Sequence, residues 1–147
     1  MTQTQAAEFF GDYAAAFNGF DALGVTERYE VPCVFSQGEL PTVFESTQSL
    51  LLNNRRLIDA YREDGFEHAS FGVLQVHSFG PVHALVDVPW TIARRTPKEP
   101  VRFRTAYNLR HREGQWKIWA VTVFEEVDAF DAAAPTAANP HADRKCN

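Results

Sequence analysis

The chain has 147 residues, 45% of them hydrophobic, and its 19 acidic and 14 basic side chains give a formal net charge of −5. That length suits one domain with a core needing neither metal nor disulfide. The charge argues against general nucleic-acid binding, which neutralises phosphates with Lys and Arg.

Ala6, Phe10, Tyr13 and Phe17 recur at three- and four-residue spacing, with Phe9 widening the stripe. This predicts an amphipathic first helix, capped by Thr4 and ended by Asn18-Gly19. Asp21 is placed to cap a short second helix running through Arg28. From Tyr29 the pattern changes. Residues 31–36 and 42–45 read as short strands joined across Gln37-Gly38-Glu39-Leu40-Pro41. Ser46 or Thr47 then caps the longest helix, whose inward face carries Leu50, Leu51, Asn54, Leu57, Ile58 and Tyr61, and Gly65 stops it.

Four longer strands follow, at about 68–79, 82–95, 101–112 and 116–127. Their short connections predict an antiparallel meander. Helices first and strands afterwards favour α+β over a parallel α/β sheet. Residues 1–127 are therefore expected to form the domain, and the Ala/Pro-rich segment 128–147 a tail that contributes little to the fold.

Alternation assigns the faces. Val82, Ala84, Val86, Val88, Trp90 and Ile92 form one apolar set, and Phe103, Thr105, Tyr107 and Leu109 another. Arg102, Arg104, Arg110 and Arg112 oppose the second set, as a solvated stripe or as an anion-binding or cross-subunit surface facing Glu125, Glu126 and Asp128. If Gly80-Pro81 closes a two-residue loop, then Phe71, Val73, Gln75, His77 and Phe79 also look inward. In the last strand Trp116, Ile118, Ala120, Thr122 and Phe124 alternate with Lys117, Trp119, Val121 and Val123, so both faces are apolar. A homodimer covering Trp119, Val121 and Val123 on the outer face is the expected explanation.

No apolar run approaches the roughly 20 residues that cross a bilayer, and the first residues lack the pattern of a secretory signal. A cytoplasmic location is expected. Cys33 reads as a small buried residue and Cys146 as an incidental one, since the pair matches no metal-ligand spacing.

The order helix, short helix, hairpin, long helix and meander, ending in Gly114-Gln115-Trp116-Lys117-Ile118, resembles the nuclear transport factor 2-like superfamily. The most specific match is AEFFGDYAAAFNGFDALGVTERYE, which looks like that superfamily's first two helices, and the resemblance spans about residues 5–127. Members include ketosteroid isomerases, scytalone dehydratase, polyketide cyclases of the SnoaL type, epoxide hydrolases and non-catalytic transport or association domains. The resemblance implies a conical pocket between helices and a concave sheet, usually in a homodimer. It places Tyr13 where ketosteroid isomerases hold the tyrosine that donates to a developing oxyanion. Gln37 falls at their general-base aspartate and Tyr107 at the protonated aspartate of the oxyanion hole. Glutamine cannot shuttle a proton, so the isomerase mechanism does not transfer. Paired phenols at Tyr13 and Tyr107 would still hold a carbonyl or enolate oxygen.

His77 is the candidate general base, because its ordinary pKa lies near neutrality; the alternative is a histidine near a strand end that bonds a neighbour or meets water. Asp87 and His83 oppose apolar neighbours and should look outward. The expected fold is thus a cone-shaped, curved, mixed or antiparallel sheet with N-terminal helices over its concave face. Tyr13, Tyr107 and His77 are the expected catalytic residues. Phe17, Gln37, Tyr61, Gln75, Trp90, Phe103, Thr105, Thr122 and Phe124 are the expected ligand contacts, with no metal and no cofactor. Three functions stay open: an isomerase, cyclase or dehydratase acting on a small apolar carbonyl compound, a non-catalytic binder of such a compound, and a dimeric association module.

Overall fold

A computed structural model describes residues 1–126. The tail expected over 128–147, with Cys146, lies outside the described residues. Helix α1 (Gln3–Asn18) buries Ala6, Phe9, Phe10, Tyr13, Ala14 and Phe17, the stripe that the spacing predicts. Its cap is Thr2, not Thr4. Thr2 Oγ1 accepts from the Gln5 N–H at 3.1 Å while Gln5 Oε1 accepts from the Thr2 N–H at 2.9 Å, a reciprocal pairing that satisfies two exposed donors. Helix α2 (Ala22–Thr26) is capped by Asp21 and stops short of Arg28.

Strands β1 (Tyr29–Gln37) and β2 (Leu40–Phe44) make the expected hairpin. Helix α3 (Thr47–Glu63) is capped by Ser46 and buries Leu50, Asn54, Leu57, Ile58 and Tyr61. After it the chain reverses at Gly65, whose φ of +88° suits glycine. The remaining strands are β3 (Phe66–Phe71), β4 (Gln75–Phe79), β5 (His83–Arg94), β6 (Val101–Arg112) and β7 (Gln115–Glu126). They form one seven-stranded sheet in the order β2-β1-β7-β6-β5-β3, with β4 also paired to β5. All pairs are antiparallel except β1 with β7, which run parallel, so the curved sheet is mixed. The inward sets of β5 from Ala84 and of β6 from Phe103 are as the alternation predicts, and they pack with α1 and α3 into one core. Val82, expected to open the first set, instead lies exposed in the preceding turn.

Two expectations about facing fail, each by a one-residue slip that turns side chains to the opposite face. The strand expected at 68–79 is broken into β3 and β4. Phe71 pairs with Trp90 and Gln75 with Asp87, so three residues, 72–74, stand opposite only two, 88 and 89. Pro89 has no N–H to give the ladder, and Gly72 takes its carbonyl instead, at 3.0 Å. The next loop is one residue longer than expected, because Phe79 pairs with His83 across Gly80-Pro81-Val82. Gln75, His77 and Phe79 are consequently exposed on the outer side, and Val76 takes the inward place.

In β7 the ladder shifts between the Leu109–Ile118 and Asn108–Ala120 pairs, leaving Trp119 as an extra residue, and again at Phe124. Inward positions therefore pass from Ile118 to Val121 and Val123, which are buried. Thr122 and Phe124 are exposed. Val121 and Val123 thus cannot form an outer interface, while Trp119 sits half-buried with the Arg110 guanidinium 5.7 Å from its ring. The arginine stripe is engaged within the chain. Arg104 forks onto Asp87, and Arg110 reaches Glu30 at 3.4 Å. Among the described residues no helix is long and apolar enough to cross a membrane.

Candidate functional site

The helices and the inner sheet face meet around one aromatic cavity. Helix α1 contributes Tyr13 and Phe17, one turn apart on its buried stripe, and α3 contributes Tyr61. The sheet supplies Trp90 and Ile92 from β5, Phe103 and Tyr107 from β6, and Ala69 from β3. Alternate residues of a strand share a face, so each pair reaches the same floor. The ring centroids of Tyr13 lie 5.8 Å from Trp90 and 5.9 Å from Tyr107. Phe17 and Tyr61 meet edge to face at 5.2 Å. The rings nearly fill the cone: space for the centre of a water-sized sphere amounts to about 20 Å³, room for about one water molecule. The cavity is therefore smaller than the ligand-sized pocket that the resemblance implies.

Its polar content is the phenols of Tyr13, Tyr61 and Tyr107 and the indole of Trp90, with Tyr29 bonded to Tyr13. Trp90 Nε1 donates to Tyr107 Oη at 2.9 Å. The Tyr107 ring meets that of Tyr13 edge to face, and Tyr13 and Tyr29 share a hydrogen bond of 2.8 Å. All four phenols are buried, with Tyr13 4% and Tyr107 1% exposed. Burial, and then the neighbouring Tyr13, hold the pKa of Tyr107 well above the ordinary value, although the indole donor works in the opposite direction. Burial likewise raises Tyr29, with Tyr13 and Tyr107 adding to the effect. Both phenols stay protonated at neutral pH. They can donate to an uncharged oxygen, but they cannot act as bases there.

Of the expected site residues, Tyr13, Tyr107, Phe17, Tyr61, Trp90 and Phe103 come together. Thr105 is fully buried between Phe103 and Tyr107 on the same face, and its Oγ1 has no hydrogen-bond partner. Gln37 stands at the end of β1, away from the lining, with a buried Oε1 that is also unpartnered. His77, Gln75, Thr122 and Phe124 lie outside the cavity, for the reasons of register given above. None of the lining side chains is of a type that titrates near neutrality. Among the described residues no cluster of His, Cys, Asp or Glu could hold a metal ion.

A family model described as "NTF2-like protein (DUF6841)" matches residues 4–126. The chain belongs to this NTF2-like family. No curated protein matches the sequence. Several solved structures share the NTF2-like fold. Aln2 from a Streptomyces species is 16% identical, with 88% of this chain and 94% of that one aligned and a TM-score of 0.69. An NTF2-like protein with a cystatin-like fold from Novosphingobium aromaticivorans is 14% identical over 92% and 88% of the two chains, with a TM-score of 0.69. An NTF2-like protein of unknown function from Shewanella oneidensis is 13% identical over 85% and 100%, with a TM-score of 0.64. At these identities the likeness is one of fold.

Alternation did not identify Tyr29, the buried phenol that bonds Tyr13 in this NTF2-like cone. Tyr29 pairs with Ile118, but the next pair is Val34 with Ala120, so the β1 ladder is irregular just after it. A tyrosine opening a strand directly after a helix carries no face of its own in the sequence.

Proposed function

We propose that this NTF2-like domain binds a small, largely apolar compound carrying a carbonyl or similar acceptor oxygen, and that it binds the compound rather than converting it. The observation that carries this is two buried hydrogen-bonded pairs, Trp90–Tyr107 and Tyr13–Tyr29, of which Trp90, Tyr107 and Tyr13 line a largely aromatic cavity. Phenylalanine would fill the same space without the cost of desolvating hydroxyls, so phenols at these positions point to a polar task. The task fits binding better than proton transfer, because no lining side chain exchanges protons near neutrality. Uptake of an organic ligand requires the filling rings, Phe17, Tyr61 and Phe103, to part.

A thermal-shift screen of hydrophobic carbonyl compounds on the wild type and on Tyr13→Phe tests the proposal, followed by turnover assays on whatever binds. Shifts that shrink in Tyr13→Phe, without turnover, are expected. No shift with any compound would sink the pocket, and turnover would sink the restriction to binding.

Self-association is a second reading, favoured by the outer face of β7. Phe124 is 51% exposed there, and Trp119, further back along the same strand, is half-buried. Trp119 and Phe124, in place of Val121 and Val123, would be the contacts. Light scattering that finds a monomer at micromolar concentration would remove this reading.

A further inference from the structure

We infer that Trp90 is a positioning residue: its indole N–H fixes the direction of the Tyr107 hydroxyl, so that the cavity offers protons and selects ligands that accept a hydrogen bond. This rests on the binding site proposed above. An indole nitrogen donates and cannot accept. In the 2.9 Å contact between Trp90 Nε1 and Tyr107 Oη, the phenol oxygen is therefore the acceptor. The hydroxyl's own proton must then point away from Trp90, towards Tyr13 and the cavity that Tyr13, Trp90 and Tyr107 share.

Without the indole donor the same hydroxyl could turn either way and accept from a ligand as readily as it donates. Trp90 is well placed to enforce the choice. It is buried, it pairs with Phe103 across the sheet, and Phe71 packs on its ring edge to face at 5.6 Å. Reorienting the indole would displace these neighbours, so its N–H is held on one line. The neutral phenol that results is a donor for an uncharged oxygen. A ligand offering only a donor, or only hydrocarbon, gains nothing from a hydroxyl whose proton points towards Tyr13 and the cavity.

The test compares two probes of one shape, cyclohexanone and methylenecyclohexane, in which a CH₂ group replaces the oxygen. Affinities are measured by thermal shift and titration for the wild type, for Trp90→Phe and for Tyr107→Phe. The carbonyl ¹³C resonance of bound cyclohexanone is recorded in each. The wild type should prefer the ketone by about tenfold, the discrimination expected of one buried hydrogen bond. Trp90→Phe should reduce the preference to about twofold while affinity for the hydrocarbon changes little, and it should move the carbonyl resonance towards its unbonded position. Changing both residues should cost little more than changing one, because they act through a single bond. If Trp90→Phe does not fold, benzothienylalanine at position 90 keeps the ring volume and removes only the N–H.

An undiminished ketone preference and an unmoved resonance in the Trp90 variants would overturn the inference. Equal binding of both probes by the wild type would also overturn it, yet leave the pocket standing. Binding of neither probe would remove the proposed site and the inference with it.

Discussion

Asn18, the last residue of α1, binds both main-chain groups of Ala69 in β3. The Ala69 N–H donates to Asn18 Oδ1 at 2.7 Å, and Asn18 Nδ2 donates to the Ala69 carbonyl at 3.0 Å. β3 lies at one end of the sheet order, where open hydrogen-bonding groups invite foreign strands. The asparagine amide takes the part of a neighbouring strand for one residue, and it ties the end of α1 to a residue that lines the cavity. Replacing Asn18 with Ala should lower stability by about 1–3 kcal/mol, since both groups of Ala69 lose their partner. Asn18→Asp, which sets a carboxylate oxygen against the Ala69 carbonyl and a negative charge at the C-terminal end of α1, should cost at least as much. Urea unfolding of both variants checks the order.

Thr105 gives a prediction of opposite sign. Its hydroxyl is fully buried and unpartnered between Phe103 and Tyr107. Thr105→Val should raise stability by about 1 kcal/mol, because it removes an unmet polar group and keeps the branched shape. A lower melting temperature in Thr105→Val would show that a water or ligand atom uses the hydroxyl.

Alkaline stability follows from the phenols. Tyr29 and Tyr107 are held well above the ordinary phenol value of 10.0 in the folded chain, first of all by burial. Their contribution is therefore complete below that value, and it is lost as pH rises towards the folded value, because the unfolded chain ionises first. Stability should be flat up to about pH 8. It should fall first as the unfolded chain ionises Cys33, whose thiol is raised from 9.0 to about 12 in the folded chain. Above 10.0 it should fall by roughly a further 1.4 kcal/mol per pH unit for each buried phenol. Tyr29→Phe or Tyr107→Phe should each make the fall shallower. Urea melts across that range measure the slope, and an unchanged slope in both variants would contradict the assignment.

Cys33 should be chemically silent in the native protein. It is fully buried, and burial pushes its thiol up to about 12, so almost no thiolate exists at neutral pH. In a Cys146→Ser background, alkylation by iodoacetamide should proceed only as fast as the chain opens. Rapid labelling of the folded protein would refute this.

What the sequence disclosed follows from how strongly each face was marked. In β6, arginines alternate with Phe103, Thr105 and Tyr107, so only one facing was possible, and the structure adopts it. The stripe of α1 and the caps at Asp21 and Ser46 were equally legible. Facing failed where it depended on counting residues across a break. Pro89 interrupts the ladder between β3 and β4, and a loop longer by Val82 turns His77 outward. β7 is apolar on both faces, so its bulges at Trp119 and Phe124 left no mark in the pattern. The expected inward histidine was lost to this slip, whereas Tyr13 and Tyr107, on a well-marked helix and strand, face the cavity as their spacing implies.

The parallel pairing of β1 with β7 has a consequence for synthesis. Tyr29 meets Ile118, the Ile118 N–H donates to the Arg28 carbonyl at 2.9 Å, and Lys117 reaches the Glu27 carbonyl. A chain emerging from the ribosome makes the β1–β2 hairpin early and must hold it unjoined until nearly every other strand has appeared. Among the described strands the last to be translated is the one inserted between the hairpin and β6, so its joining of the two awaits the synthesis of Gln115–Glu126.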